Sequence, residues 1–302
     1  MKQSISQKTT KSKGQIVRVE EQFTGRNLTR FGGVGLIRRF FERHKIQQMV
    51  DKKVKIEGRR KSKYSTGALV VGCLYGMLLG YSRPYQMKIL CADKVFQKIV
   101  GLCSFPVQST MSRFLSCVRI SVANQISALN FDFIMKLRKQ YRGLREITLD
   151  LDSHVIAVYG NQQRAALGYN PKKKGRKSYH PLLCFVGETR DYIGGVLRSG
   201  KHHSSYKAVD FIKGLVKKLP SHIKRIRLRA DSGFFSTDLI KYLVKEGIEF
   251  AVVVPMQPWV QRKIRHMGLW QSIGRGIAVG ECSYIVNRVT TLRMRVCPPG
   301  RV

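Results

Sequence analysis

Two aspartates in this chain each lie at the end of a strand-like run. Asp152 ends the run that begins at Ile147, Asp231 ends the run that begins at Ile226, and a serine follows each of them. Carboxylate oxygens are ligands that Mg²⁺ or Mn²⁺ accepts, and the ion completes its shell with water and phosphate oxygens. If the two strands are neighbours, the pattern predicts a divalent metal site. The alternative is that each aspartate only caps a turn.

Side-chain alternation places a second candidate acid beside the first. Residues two apart on a strand share a face, so Asp150 and Asp152 lie together, opposite the apolar Leu149 and Leu151. Both carboxylates are therefore candidates for the first metal ligand.

The net charge indicates what such a site would act on. Lys and Arg total 56 against 18 Asp and Glu, which gives +38, and the basic residues are spread along the whole chain. This distribution favours a nucleic acid partner and does not suit a membrane anchor, which would concentrate its charge beside an apolar face. The alternative is a basic surface that is simply solvated.

Two basic features are candidates for contact with DNA. Five of the six residues from 172 to 177 are basic, and Tyr169 and Tyr179 flank them. They predict phosphate contacts with base stacking, or else a solvated charge run. Arg113 lies in a helix-like segment that starts near Ser109 or Thr110, which predicts either a DNA recognition helix or a capped bundle helix. The predicted DNA-binding residues are Lys172, Lys173, Lys174, Arg176, Lys177 and Arg113.

The cysteines and the first residues predict a reducing, cytoplasmic location. The seven cysteines are odd in number and form no C-x-x-C pair, so neither a disulfide framework nor a zinc site is indicated. Residues 1–13 are polar and basic, unlike a secretory signal. The most apolar stretch, 68–79, is too short to cross a bilayer and predicts a buried helix.

The hydrophobic pattern changes along the chain. Apolar residues recur at helical spacing from about 35 to 141, and short apolar runs alternate with helical segments from 146 onward. We predict an α/β fold with a mixed sheet and flanking helices, preceded by an all-α DNA-binding domain. The predicted strands are 147–152, 181–187, 192–198, 225–231 and 249–254, with a hairpin between the second and third. The predicted helices run from 204 or 205 to 219 and from 237 to 246, the latter capped by Ser236.

Several ordered motifs resemble bacterial insertion-sequence transposases of the DDE type. The match is to the subgroup with Tyr-Gly-x-Gln and Gly-Tyr-Asn-Pro-Lys-Lys segments after the first acid. The segments that carry it are 149–153, 158–162, 168–173, 175–181 and 229–235. The resemblance covers about residues 30–256. It implies an RNase H-like catalytic domain and a Mg²⁺-dependent (or Mn²⁺-dependent) enzyme that cuts at terminal inverted repeats and joins the freed 3′-hydroxyl to target DNA, as a dimer on DNA.

Carried over to this chain, the resemblance makes Asp152 and Asp231 the first two catalytic acids. Asp150 is the runner-up to Asp152, because the family pattern places a serine or threonine directly after the first acid. The third should be a glutamate on a helix well beyond residue 254, and only Glu281 follows Pro255, in a strand-like segment. We therefore expect a truncated or frame-shifted copy that has lost the third acid. The expected organisation is a basic arm (1–30), a helical DNA-binding domain (31–145), a partial catalytic domain (146–256) and an incomplete segment (257–302).

Three functions follow from these expectations. The first is transposition. The second is a DNA-binding remnant that occupies transposon ends without cutting them, which a missing third acid favours. The third is a metal-dependent nuclease that cuts DNA but does not join it.

Overall fold

A computed structural model of the chain describes residues 28–58, 63–101, 104–137, 140–168, 170, 173–274, 277–286 and 290–296. The expected basic arm at 1–30 lies almost entirely outside these residues. The chain divides into two compact units, and the division falls between Leu129 and Asn130.

The described residues of the first unit form helices joined by turns and loops, with no strand among them. Its helices are α1 (Val34–Arg43), α2 (Ile46–Lys53), α3 (Thr66–Leu78), α4 (Lys88–Ala92), α5 (Lys94–Ile99), α6 (Gln108–Cys117) and α7 (Ile120–Leu137), and α7 continues into the second unit. The predicted buried helix is confirmed as α3. Ser65 caps it by accepting a hydrogen bond from the Ala68 N–H. Its apolar side chains pack into a core around Tyr75, Phe96 and Phe105.

The second unit is built on a five-stranded mixed sheet. The short helix α8 (Gln140–Gly143) leads into β1 (Glu146–Ser153). Counting the other strands in chain order, the sheet contains β5 (Leu182–Val186), β6 (Tyr192–Val196), β7 (Arg225–Ala230) and β8 (Glu249–Val252), in the order β6-β5-β1-β7-β8. The strands β1, β7 and β8 are parallel, and β5 and β6 form the predicted antiparallel hairpin. This order is that of an RNase H-like sheet, so the predicted fold class is confirmed.

One face of this sheet forms the core of the unit. Ile147, Leu149 and Leu228 are fully buried on it, together with Leu182 and Cys184. The helices α9 (Ala208–Val216) and α10 (Thr237–Lys245) contribute Ile212, Leu215, Leu239 and Leu243 to the same cluster. Because alternate residues of β1 and β7 are apolar, one face is buried and the charged residues point to the other.

Two smaller sheets complete the unit. The first has the order β2-β4-β3 and consists of β2 (Ile156–Ala157), β3 (Ala166–Leu167) and β4 (Lys177–Tyr179). The second follows α11 (Pro258–Arg265) and contains β9 (Gln271–Gly274), β10 (Ile277–Val286) and β11 (Thr290–Val296). Glu281 lies on β10, so the interpretation of its segment as a strand is confirmed.

The predicted elements of the second unit match those of the structure within a few residues. Ser236 caps α10 by accepting from the Leu239 N–H, and Gly247 follows the helix at a φ of +64°. The helix predicted to start at 204 or 205 begins only at Ala208, after turns and after Lys207 in the left-handed region. Cys184 is buried, whereas Cys117 is exposed. Among the described residues, no helix has the length and apolar character to cross a bilayer.

Candidate active site

The two predicted acids lie at the same end of the sheet, Asp152 near the end of β1 and Asp231 directly after β7. The parallel register pairs Leu151 of β1 with Ala230 of β7, so Asp152 and Asp231 occupy the next position on each strand path. Neighbouring strands lie about 4.8 Å apart, which places the two backbones side by side where both side chains are exposed to solvent. The topology therefore brings together two acids that are 79 residues apart in the sequence.

Backbone N–H groups orient both carboxylates. Asp152 Oδ1 accepts from the N–H of Ser153 at 2.7 Å. Asp231 Oδ1 accepts from the N–H of Gly233 at 3.0 Å, and so caps the 3-10 turn Ser232–Phe234. Within the described ranges, neither carboxylate forms an ion pair with a basic side chain. Both therefore keep oxygen atoms available for a cation.

The runner-up acid Asp150 is engaged differently. Its two carboxylate oxygens accept from Nε and Nη2 of Arg229, each at 2.6 Å. The hydrogen bond that Arg229 donates to Asp150 raises the pKa of Arg229, which stays charged. Both oxygens of a carboxylate in this bidentate geometry are occupied by the arginine, so neither is free to bind a cation. The structure thus gives a physical reason to prefer Asp152 as a metal ligand.

The Asp150–Arg229 pair belongs to a row of ion pairs on the same face of the sheet. Arg225 and Arg227 each bridge Glu146 on β1 and Glu249 on β8. The arginines that alternate along β7 are therefore neutralised by acids on the neighbouring strands. These ion pairs were not predicted from the sequence. The alternation of charged and apolar residues on β1 and β7 did indicate that the charged residues share one face.

The donor set fits a magnesium ion. Mg²⁺ is commonly held by one or two protein carboxylates, with water and phosphate oxygens completing an octahedral shell. Asp152 and Asp231 are exposed at one end of the sheet and would offer two hard carboxylate ligands to such an ion. Across the described residues there is no group of three His, Cys, Asp or Glu side chains that could hold a metal ion. Helix α11, which follows β8, carries no acidic residue.

The predicted basic segment lies between β3 and β4 of the small sheet. Lys173, Lys174, Arg176 and Lys177 are exposed there, whereas Lys172 and Tyr169 fall outside the described residues. Two of these basic groups lie next to the ring of Tyr159, which was not among the predicted DNA-contacting residues. Lys173 Nζ and the Arg176 guanidinium lie 4.9 Å and 5.2 Å from the centre of this ring.

Tyr159 combines an exposed ring with a strongly positive environment. The ring is 67% exposed, and the Lys173 ammonium donates to its hydroxyl. This hydrogen bond is the main cause that lowers the pKa of Tyr159. The predicted stacking residue Tyr179 is instead half-buried, and its hydroxyl donates to the Gln163 carbonyl. Tyr159 therefore has the better position for contact with an exposed base.

Arg113 lies on α6 of the first unit, and its side chain is exposed. Its Nε donates to the Ser109 carbonyl at 3.4 Å. The helix begins at Gln108, and Val107 at the N-cap makes no side-chain cap bond. The helix therefore starts one residue before Ser109, close to the predicted start, although neither Ser109 nor Thr110 is its N-cap.

Gly233 is required by close packing around the second acid. A Cβ atom at this position would lie 2.8 Å from Ser204 Oγ and 3.2 Å from Asp231 Oδ1. We expect Gly233→Ala to displace the Asp231 carboxylate and to destabilise the fold by about 1–3 kcal/mol, as overpacking does. Thermal unfolding and DNA cleavage measure the two effects. Gly214→Ala, where a Cβ meets nothing within 4 Å, is the matched control. A Gly233→Ala protein that unfolds and cleaves like the control would contradict the prediction.

Comparison with known structures places transposases among the similar folds. A piggyBac transposase synaptic complex with hairpin DNA matches with a TM-score of 0.37 and 12% identity, over 86% of this chain and 60% of that chain. The Drosophila P element transposase strand transfer complex matches at 0.32 and 16%, over 70% and 42%. The Mos1 mariner paired end complex with Mn matches at 0.25 and 13%, over 77% and 73%.

The chain spans less than two thirds of the piggyBac and P element proteins. A search of curated proteins found no match. Among protein families, the model described as Transposase DDE domain group 1 matches residues 11–271. Since this match covers most of the sequence, the chain belongs to the group 1 family of DDE transposase domains.

Proposed function

We propose that this chain is the transposase of a bacterial insertion sequence. In this proposal Asp152 and Asp231 hold Mg²⁺ or Mn²⁺, and the protein cuts DNA at terminal inverted repeats and joins the freed 3′-hydroxyl to target DNA. The observation that carries the proposal is the register of β1 against β7, which brings both acids to one end of the sheet. The family match supports the same reaction class.

The residues of the chain would act through position and charge. The carboxylates of Asp152 and Asp231 bind the cation, and the N–H groups of Ser153 and Gly233 orient them. A bound divalent ion would activate the attacking oxygen and neutralise charge on the phosphate. Because Arg229 binds Asp150, that third carboxylate stays outside the ligand set.

DNA binding would involve both compact units. The basic segment 172–177 and Tyr159 would contact phosphates and an exposed base, and the helical domain (31–145), with Arg113 on α6, would contact the duplex. The net charge of +38 supports a polyanionic partner. We propose that two copies act together, each on one transposon end.

The basic segment gives a prediction that does not depend on catalysis. Replacing Lys173, Lys174, Arg176 and Lys177 with glutamine should weaken DNA binding and flatten its salt dependence. The slope of log K against log salt should become shallower by about 0.9 for each phosphate that the variant no longer neutralises. A titration of labelled duplex at several salt concentrations measures this slope. The control replaces Lys217, Lys218, Lys241 and Lys245, which lie in or beside α9 and α10. Equal slopes for the two variants would contradict the prediction.

The test of the proposed function is cleavage of a labelled duplex that carries the terminal repeat of the element. We expect cleavage that requires Mg²⁺ or Mn²⁺ and stops with a chelator, followed by joined product when target DNA is added. Cleavage without joined product would identify a nuclease. Cleavage that persists in the chelator would contradict a metal-dependent site.

One observation favours a non-catalytic alternative. Within the described residues no third acid accompanies Asp152 and Asp231, and Glu281 lies on a strand instead of a helix. A two-ion site with too few ligands would bind metal weakly. Specific binding to the terminal repeat without cleavage would then identify a DNA-binding remnant that occupies transposon ends.

A further inference from the structure

Arg198 is a charged residue in the interior of the second unit. It is 4% exposed, and its guanidinium donates hydrogen bonds to backbone carbonyls and to one hydroxyl. The acceptors are the carbonyl oxygens of His180 (2.9 Å), His203 (3.3 Å), Ser204 (2.7 Å) and Tyr206 (2.7 Å), and Ser153 Oγ (2.8 Å). One side chain thus joins the end of β1, the approach to β5 and the loop before α9.

Burying this charge is costly for the fold. Among the described residues, no acidic side chain forms an ion pair with Arg198, so only neutral oxygens compensate its charge. Burial lowers the pKa of Arg198 to about 10, which leaves it protonated at neutral pH. An apolar residue would fill the same space without this cost, so the hydrogen bonds themselves indicate a specific role.

The first connection leads to Asp152. Ser153 Oγ accepts from Nη2 of Arg198 and donates to the Pro181 carbonyl at 2.9 Å. The N–H of the same serine donates to the Asp152 carboxylate. Arg198 therefore fixes the residue whose backbone orients the first acid.

The second connection leads to Asp231. Nη1 of Arg198 holds the Ser204 carbonyl, and the Ser204 side chain lies so close to Gly233 that no Cβ fits between them. The N–H of Gly233 donates to the Asp231 carboxylate. The loop that Arg198 secures is thus packed against the turn that orients the second acid.

We propose that Arg198 is a positioning residue that sets the relative placement of the Asp152 and Asp231 carboxylates, so that both bind one divalent cation. This inference rests on the proposed function of the two acids. The guanidinium does not bind the cation, and it acts through Ser153 and through the loop that contains Ser204. Lysine can replace the charge but not the several directed hydrogen bonds.

The test is the affinity of the full-length chain for Mn²⁺ alone, measured by calorimetry without DNA. We expect Arg198→Ala to weaken binding by about 10–100-fold, the range seen when a residue behind the ligands is removed. Arg198→Lys should fall between Arg198→Ala and the unchanged protein. If the Arg198→Ala protein does not fold, the Mn²⁺ affinity of Arg198→Lys tests the proposal instead.

Tyr141→Phe is the matched control for reduced stability. Tyr141 is 1% exposed in the same unit, and its hydroxyl bonds Thr189 and Asp191 in the turn between β5 and β6. That turn lies at the end of the sheet opposite the two acids. We expect this variant to lower the melting temperature and to keep the Mn²⁺ affinity within about twofold, because the hydrogen bonds it loses are distant from the ligands.

Three results would overturn the inference, and they differ in what else they affect. Mn²⁺ affinity that is unchanged in Arg198→Ala, but abolished in Asp231→Asn, would remove only the role of Arg198. An equal loss of affinity in Tyr141→Phe would show that stability, and not positioning, sets the binding. Mn²⁺ binding that is absent, or that survives in Asp231→Asn, would remove the proposed metal site and this inference with it.

Discussion

Replacing Asp231 with asparagine should reduce metal-dependent DNA cleavage by more than about 100-fold. Losing a residue behind the ligands already costs about 10–100-fold, so losing a ligand charge should cost more. The amide oxygen of asparagine can still accept from the Gly233 N–H, so the turn Ser232–Phe234 keeps its cap. The variant therefore separates the charge of Asp231 from its structural role as a cap.

The matched control for this experiment is Asp238→Asn. Asp238 lies in the first turn of α10 and is exposed. Its replacement changes the net charge by the same amount as Asp231→Asn. It should lose about 0.3–1 kcal/mol of helix stabilisation and keep its cleavage rate. DNA affinity should be the same in both variants and in the unchanged protein. Cleavage that survives in Asp231→Asn would exclude Asp231 as a ligand.

Much of the catalytic fold could be predicted from local patterns. The alternation of apolar and charged residues on β1 and β7 determined which face is buried, since a strand buried on one face needs a period of two. The segment Glu188–Asp191 between two apolar runs predicted the hairpin of β5 and β6, and the structure confirms it. Ser236 and Gly247 marked the ends of α10 because their roles in capping are local.

The contacts around the site could not be predicted, because they join segments distant in the sequence. Nothing in the sequence near Arg198 distinguishes it within the set of 56 Lys and Arg residues. Its role becomes visible only when the sheet brings Ser153 within 2.8 Å of its guanidinium. The pairing of Arg229 with Asp150 likewise depends on β1 lying beside β7. Tyr159 joins the basic segment through the small sheet β2-β4-β3, whose strands have only two or three residues and give no clear pattern.

We also expect a large difference in DNA cleavage rate between the variants of Asp152 and of Asp150. Asp152→Asn should reduce metal-dependent cleavage by more than about 100-fold, for the same reason as the loss of Asp231. Asp150→Asn should leave the rate within about fivefold, since it removes only a partly exposed ion pair with Arg229. The two variants lose the same charge from the same face of one strand, so their comparison isolates the position of the carboxylate. Single-turnover cleavage of the labelled terminal repeat measures both rates.

The Asp150→Asn variant removes the ion-pair partner of Arg229. The positive charge of the Arg229 guanidinium would then act on the neighbouring carboxylates. The double variant Asp150→Asn with Arg229→Gln removes both charges and should also cleave within about fivefold of the unchanged protein. A loss of cleavage in both Asp150 variants, with Asp152→Asn active, would make Asp150 the metal ligand. Because Asp150 holds both donor atoms of Arg229 with bonds of 2.6 Å, it would have to release that arginine before it could bind a cation. From the residues that the structure describes, Asp152 accepts only the N–H of Ser153, so it can bind a cation without breaking an ion pair to any of them. This is why we expect the larger effect there.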